Sequence, residues 1–458
     1  MMIQNNLAFT EDQAIPEGYK KTDQGLLPQS WNIVAIRTLV SRLDAGISVN
    51  SVDSLDAYSH GKHVLKTSCV AKGYFLPNEK KSILPIDINR AKTIPEKGSI
   101  IVSRMNTPEL VGELGYVHVF DENIYLPDRL WQMIFKKDQQ LCSRWLAYLL
   151  SSKKFSKQIK ESATGTSNSM KNISKEVLLS LEIPYPKFDE QEKIATALSD
   201  TDALISELEK LIEKKQAIKT ATMQQLLTGK TRLPEFALRE DGTLKGYKDS
   251  ELGQIPEDWD ALTIGADTSL KARIGWQALT TNEYLKEGNY YLVTGTDFDG
   301  GLVNWNTCCY VSEWRYKQDK NIQLQEQDVL VTKDGTIGKV GFIESLPVPA
   351  TLNSGVFVVR PKLARCIPRF LFYVLTSSYF DDFVKLITAG STIVHLYQKD
   401  FVNFKFYVPR KIDEQLAIAN ILSELDHEIT KLDIELIKLK NMKRGMMQEL
   451  LTGKTRLV

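Results

Sequence analysis

The sequence has little cysteine, no long apolar run and almost no net charge. Five cysteines are spread over 458 residues. Cys308 and Cys309 are adjacent, and Cys69, Cys142 and Cys366 are isolated. That is no disulfide framework, and the thiols read as reduced, as in a cytoplasmic protein. No apolar run approaches the roughly 18 residues that a membrane-spanning helix needs. The start, Met1 to Asn6, has no basic stretch leading into an apolar one, so no secretory signal is read there. The formal net charge is +1, from 58 Lys and Arg against 57 Asp and Glu. Such a balance announces no polyanionic partner, and any positive surface must be local. Only residues 1–188 lean basic, with 24 Lys and Arg against 19 Asp and Glu.

Catalytic signatures are also scarce. Gly229-Lys230-Thr231 and Gly453-Lys454-Thr455 look like the end of a phosphate-binding loop. That loop needs a glycine five positions earlier and a helix afterwards. Here Gln224 and Gln448 stand at those positions, and each glycine ends a helical pattern instead of opening one. The glycine-rich run from Gly335 to Gly341 lacks dinucleotide-loop spacing and reads as a turn between strands. His60 and His63 form a lone pair with no further cysteine or histidine group, so no metal site is expected. There is no nucleophile elbow and no zinc-protease helix motif. The Asn/Asp-Pro-Pro-Tyr/Phe tetrapeptide needed around an amine undergoing methylation is missing. The expectation is a non-catalytic chain that binds no cofactor of its own.

What the chain does have is an internal repeat. Residues 189–233 and 413–457 align without a gap, with 22 of 45 positions identical. Both begin Asp-Glu-Gln (Asp189-Glu190-Gln191 and Asp413-Glu414-Gln415). Both end on the same eight residues, 226–233 and 450–457. Upstream, Gly18-Tyr19-Lys20 with Gly25, Pro28 and Trp31 corresponds to Gly246-Tyr247-Lys248 with Gly253, Pro256 and Trp259. The stretch from Ala163 to Ser167 resembles that from Thr388 to Thr392. Each half is thus a variable block followed by a nearly constant tail, a period too long for a solenoid.

The tails read as helices of about 39 residues, roughly 58 Å at 1.5 Å per residue. In the second, Ile418, Leu422, Leu425, Ile429, Leu432, Leu436 and Leu439 follow alternating steps of four and three, an a/d heptad seam. In the first, Ile194, Leu198, Ile205, Leu208 and Ile212 keep the same register, interrupted by Thr201 and Lys215. Asp189 and Asp413 read as N-caps, and Gly229 and Gly453 as helix-ending glycines. Such helices pair with one another and act as spacers; packing on their own domain is the blander alternative.

The variable blocks read as mixed α/β. Strand-like runs occupy 99–102, 328–332 and 356–359, and matching amphipathic helices occupy 145–150 and 370–375. The resulting fold class is α+β: two mixed α/β domains joined by two long paired helices in a pseudo-twofold repeat. The expected boundaries are 1–188 (first domain), 189–233 (first helix), 234–245 (linker), 246–412 (second domain) and 413–458 (second helix).

This organisation, with Asp189-Glu190-Gln191, the run 226–233 and their copies, resembles the specificity subunit of type I restriction–modification systems. The resemblance covers essentially the whole chain; 45–50 and 274–277 also look like segments of such subunits. It implies a prokaryotic, cytoplasmic protein with two target recognition domains, held at a fixed separation by the two helices packed as an antiparallel coiled coil. Each domain would read half of a split, asymmetric site in double-stranded DNA. It also implies two modification subunits carrying S-adenosylmethionine chemistry, and two restriction and translocase subunits using ATP and Mg. Near-identical tails suit identical partners, and divergent blocks suit different half-sites. Lengthening both helices by four residues adds roughly 5–6 Å, against 3.4 Å per base step. The recognised spacer is therefore expected to widen by one or two base pairs; unchanged spacing in methylation mapping would contradict this.

Base readout comes from polar and basic side chains on loops. The candidates in the first block are Ser48, Asn50, Arg104, Asn106, Ser167, Asn168 and Lys171. In the second they are Arg273, Trp276, Gln277, Thr296, Lys333, Thr336, Ser391, Thr392 and His395. Trp276 is either a contact to a displaced base or plain core, and Lys333 and Arg273 either read bases or only touch phosphate. The competing readings are a specificity subunit of a methylation-only system, a two-module scaffold for protein ligands, and a complete enzyme with unrecognised motifs.

Overall fold

The computed structural model describes residues 15–167, 169–251, 253–275, 278–389 and 395–457. They form two compact units, Met1–Leu208 with Glu435–Val458, and Glu209–Ile434. Two helices of 39 residues each, Phe188–Leu226 and Ile412–Leu450, contribute to both. Among the described residues no helix is long and apolar enough to cross a membrane.

The first unit is built on a six-stranded sheet in the order Val40–Ala45, Leu130–Phe135, Ile100–Ser103, Leu114–Tyr116, Gly73–Phe75, Val70–Ala71. Its strand Ile100–Ser103 is buried at every position. That explains why its sequence is a continuous apolar run instead of an alternating one. Helix Ser143–Ser151 buries Trp145, Leu146, Leu149 and Leu150 against the sheet. A second helix, Lys153–Glu161, adds Phe155 and Ile159. A hairpin, Tyr19–Thr22 with Gly25–Pro28, precedes the fully buried Trp31.

The second unit repeats this plan. Its six-stranded sheet runs Thr268–Ala272, Val356–Pro361, Val329–Thr332, Val340–Phe342, Leu302–Val303, Phe298–Asp299. Helix Pro368–Leu375 stands where Ser143–Ser151 does in the first unit. The hairpin Tyr247–Ser250 with Gly253–Pro256 precedes Trp259, again fully buried. The Gly335 to Gly341 run supplies the turn between the antiparallel strands Val329–Thr332 and Val340–Phe342 and the first residues of the second of them. The architecture is α+β, with two mixed α/β bodies and two long helices, as the repeat and the heptads predict.

The constant motifs act as clamps inside each unit. In the first, Trp31 Nε1 donates to Glu190 at 2.9 Å, and Arg456 meets the same carboxylate. Gln191 is fully buried; its amide nitrogen donates to Pro186 O at 2.9 Å, and its oxygen accepts from Cys142 N at 2.9 Å. In the second, Gln415 makes the same pair with Pro409 O and Ile367 N, and Arg232 meets Glu414. Tyr148 donates to Asp202, which pairs with Lys443, in the first unit. Tyr373 donates to Asp426, which pairs with Lys219, in the second. Burial pushes both tyrosine hydroxyls above their ordinary value, and the facing carboxylate adds to it.

Two details differ from the sequence reading. The helices begin at Phe188 and Ile412, so Asp189 and Asp413 sit inside the first turn, not at the cap. There their charge faces the positive end of the helix dipole. The breaks in the seam are also filled. Thr201 is buried and donates to Ala197 O, an intrahelical bond that satisfies its hydroxyl. Lys215 pairs with Glu428 at 2.6 Å. Gly229 and Gly453 follow the helices with φ of 68° and 71°, the left-handed region that favours glycine.

Candidate nucleic-acid interface

In the first unit three of the candidates meet. Strand Ile100–Ser103 is followed by Arg104, whose N–H donates to Arg129 O at 3.0 Å and whose carbonyl accepts from Ile173 N at 2.9 Å. Asn106 pairs with Lys171 across the strands Met105–Asn106 and Met170–Asn172. Asn106 Nδ2 donates to Ser103 Oγ at 3.2 Å, and Lys171 Nζ donates to Gly165 O at 3.1 Å. The guanidinium of Arg104 lies 5.7 Å from the centre of the Trp131 ring, with Lys175 at 6.0 Å from the same ring. Its Nε donates to Asp128 O at 2.7 Å.

Asn50 lies in a different arrangement. Its N–H and Nδ2 donate to Asp87 at 2.7 and 2.8 Å, and its carbonyl accepts from Leu84 N. Those bonds, together with Arg90, hold the Asp87 carboxyl below its ordinary value. Asn50 is therefore engaged in shaping its own loop. Ser48 is exposed on the same segment. Ser167 ends the strand Thr164–Ser167, which pairs with Met170–Asn172. Asn168 lies outside the described residues.

In the second unit the candidates gather around Thr332 and Lys333. Lys333 N–H donates to Gly355 O, and its carbonyl accepts from Leu396 N, both at 2.9 Å. Its ammonium lies 5.4 Å from the centre of the Phe357 ring. His395 Nδ1 is in contact with Asp334. Thr332 Oγ1 donates to Thr336 O. Thr296 follows Gly295, and a Cβ built on Gly295 would come within 2.5 Å of the Thr332 methyl, so only glycine fits there. Asn353 Nδ2 donates to Tyr284 Oη at 2.5 Å beside the same turn.

Arg273 is placed otherwise than expected for a DNA contact. It is only 2% exposed. Its Nε donates to Leu352 O at 2.8 Å and its Nη2 to Thr351 Oγ1 at 3.2 Å. Burial, with the like charge of Arg315 nearby, pulls its pKa down. It is an internal strut under the turn that carries Asn353, and so reaches neither base nor phosphate in this conformation. Trp276, Gln277, Ser391 and Thr392 lie outside the described residues.

Trp131, Phe357, Asp334 and Asn353 are not among the residues that the sequence singles out, and only the correspondence of Arg104 with Lys333 carries a signal in it. The strand runs Ile100-Ile101-Val102-Ser103 and Val329-Leu330-Val331-Thr332 are each followed by a basic residue. That match shows up only when the two blocks are aligned on their strands. Among the described residues no three His, Cys, Asp or Glu side chains group as metal ligands.

The comparisons with known proteins agree with this arrangement. The family model described as type I restriction modification DNA specificity domain matches twice, at residues 65–220 and 271–439. The type I restriction enzyme MjaVIII specificity subunit of Methanocaldococcus jannaschii is 28% identical over 317 residues, 68% of this chain and 70% of its own. The MjaIX specificity subunit of the same organism is 22% identical over 451 residues, 96% of each chain. Among solved structures, the type I restriction–modification system S subunit from M. genitalium has 18% identity and a TM-score of 0.56. The match covers 92% of this chain and 96% of that one. With two family domains spanning most of its length, the chain belongs to the DNA specificity subunits of type I restriction–modification systems.

Proposed function

We propose that this chain reads a bipartite, asymmetric site in double-stranded DNA, one half through each unit, and directs partner subunits to it. The observation that supports this is the contrast within the repeat. Both units share one sheet order and the same Glu–Arg and Gln clamps. The loops at the end of the central strand differ, carrying Arg104, Asn106 and Lys171 in one unit and Lys333, Asp334 and His395 in the other. A duplicated frame with divergent polar loops suits two different half-sites. The shared helices and clamps suit identical partners.

In this reading the chain performs no chemistry. Two modification subunits supply methyl transfer from S-adenosylmethionine. Two restriction and translocase subunits supply cleavage and ATP-driven movement with Mg. A methylation-only system would use the same chain with the restriction subunits absent. The test is genome-wide mapping of methylated bases in a host expressing this chain with its modification subunit, against a host lacking this chain. A split motif with a fixed spacer that appears only with the chain is the expected result. No chain-dependent motif, with an active modification subunit, would overturn the reading.

A further inference from the structure

We infer that Arg104 and Lys333 are equivalent base-reading residues, each selecting guanine at the same step of its own half-site. The inference rests on the DNA-reading function proposed above and names the residues that deepen it.

Both residues follow the buried central strand of their sheet, and both have their main chain fixed on two sides. The N–H of each donates to the adjoining strand segment (Arg129 O, Gly355 O), and the carbonyl of each accepts from the loop that returns beside it (Ile173 N, Leu396 N). The residue before each is a buried hydroxyl, Ser103 or Thr332. The position of the Cα is therefore set by the sheet and not by a free loop. Each cation then lies over a buried aromatic ring of the neighbouring strand, Trp131 or Phe357, at 5.7 and 5.4 Å. Stacking on a ring restrains a long side chain before binding, so less rotamer freedom is lost when it docks.

The charges are also unspent. Several other cations of the two units are committed: Lys160 to Glu113, Arg360 to Asp328, Arg369 to Glu344. Among the described residues, Lys333 Nζ and the Nη groups of Arg104 have no hydrogen-bond or ion-pair partner. Arg and Lys are the side chains that match the O6 and N7 acceptors of guanine in the major groove. A phosphate contact is the competing use of a free cation, and it carries no sequence information. The carboxylate of Asp334, half exposed next to Lys333, argues against it, because it repels a phosphate. The same carboxylate accepts well from the amino group of a cytosine.

The experiment maps methylation in hosts expressing the full chain with its modification subunit, as the parent and as Arg104→Ala, Lys333→Ala and Lys333→Arg. In the parent, each half-site contains a G·C pair. Arg104→Ala is expected to lower discrimination at one G·C position of one half-site by roughly tenfold or more. Lys333→Ala does the same at one position of the other half-site, and Lys333→Arg keeps guanine. A variant that no longer methylates is scored by competition binding of its purified complex to duplexes changed one base pair at a time, where the same single-position loss is required. If an alanine variant does not assemble, Arg104→Gln and Lys333→Gln replace it. A uniform loss of affinity with both half-sites intact, or relaxation at an A·T pair, would overturn the inference while leaving the specificity function standing. A parent with no split motif would overturn both.

Discussion

Arg456 closes a two-pronged ion pair on Glu190, 266 residues earlier in the chain, with Nε and Nη2 at 2.5 and 2.8 Å. The second unit holds the same lock between Arg232 and Glu414, at 2.7 and 2.8 Å. These pairs explain why the two ends of the constant tail vary least. The Asp-Glu-Gln start supplies the carboxylate, and the last residues supply the guanidinium.

The two locks are expected to differ in strength. The Arg232 and Glu414 side chains are 6% and 2% exposed; those of Arg456 and Glu190 are 26% and 4%. Removing one partner of a buried pair strands the other, at a cost of about 3–5 kcal/mol. Arg232→Ala should fall in that range. Burial already pushes Glu414 above its ordinary value against the pull of Arg232, so part of the loss will be relieved by protonation. Arg456→Ala, whose cation is wetter, should cost less, about 1.5–3 kcal/mol. Urea unfolding of the two variants decides the order; equal losses would contradict it.

Gly453 should tolerate no side chain. Its φ of 71° is left-handed, and a Cβ would come within 2.6 Å of the Pro28 ring. The backbone alone costs about 1–2 kcal/mol for an L-residue, and the clash adds to it. Gly453→Ala should therefore lower the unfolding midpoint clearly. Gly445, with open space around it inside the helix, should gain stability on the same substitution, by about 0.5–1 kcal/mol. If both changes move the midpoint alike, the turn argument fails.

The repeat, the strand runs and the heptads were legible because they are local or periodic. A residue run such as Ile100 to Ser103 carries its own burial, and Ile418 to Leu439 its own face. Arg273 was not legible. An arginine beside a β-run looks like a groove contact until the carbonyl of Leu352, distant in sequence, is seen to accept from its Nε–H. Asn50 is ambiguous in the same way, since Asp87 accepts from both its N–H and its Nδ2. Polar side chains on loops are ambiguous in sequence because their partners lie on other segments. Trp131 under Arg104 is the converse case, a long-range contact that marks a candidate more sharply than its residue type does.

Acid should loosen the segment around Glu283. Its carboxylate receives Arg315 Nε at 2.6 Å and the N–H and hydroxyl of Thr280. The Arg315 bond, then the Thr280 N–H, hold its pKa at about 2, against 4.5 ordinarily. A carboxyl whose folded pKa is depressed adds stability above its unfolded value, and that stability is lost as pH falls through the folded one. The advantage of the parent over Glu283→Gln should be full above pH 4.5 and fade as pH falls toward 2. Urea midpoints measured across that window check it. A gap that stays constant with pH would show that the charge is irrelevant.

Lys215 gives the last test, because it occupies a seam position that the heptad reserves for an apolar residue. The structure compensates with Glu428 at 2.6 Å, but both side chains remain wet, at 31% and 54% exposed. A pair of that kind is worth about 1 kcal/mol at most, and salt screens it. Lys215→Leu removes the pair and places apolar surface where Ile212, Leu425 and Ile429 are buried or half-buried. Burial returns about 25 cal/mol per Å² of apolar area covered, so the two effects are of the same size. Stability in low salt should change by less than about 1 kcal/mol. The difference appears in high salt, where the parent loses the contribution of its pair and the leucine variant does not. Urea midpoints at low and high sodium chloride, for parent and variant, separate the two terms. A variant that loses stability at both ionic strengths would mean that the Lys215 stem, not its charge, is what packs there.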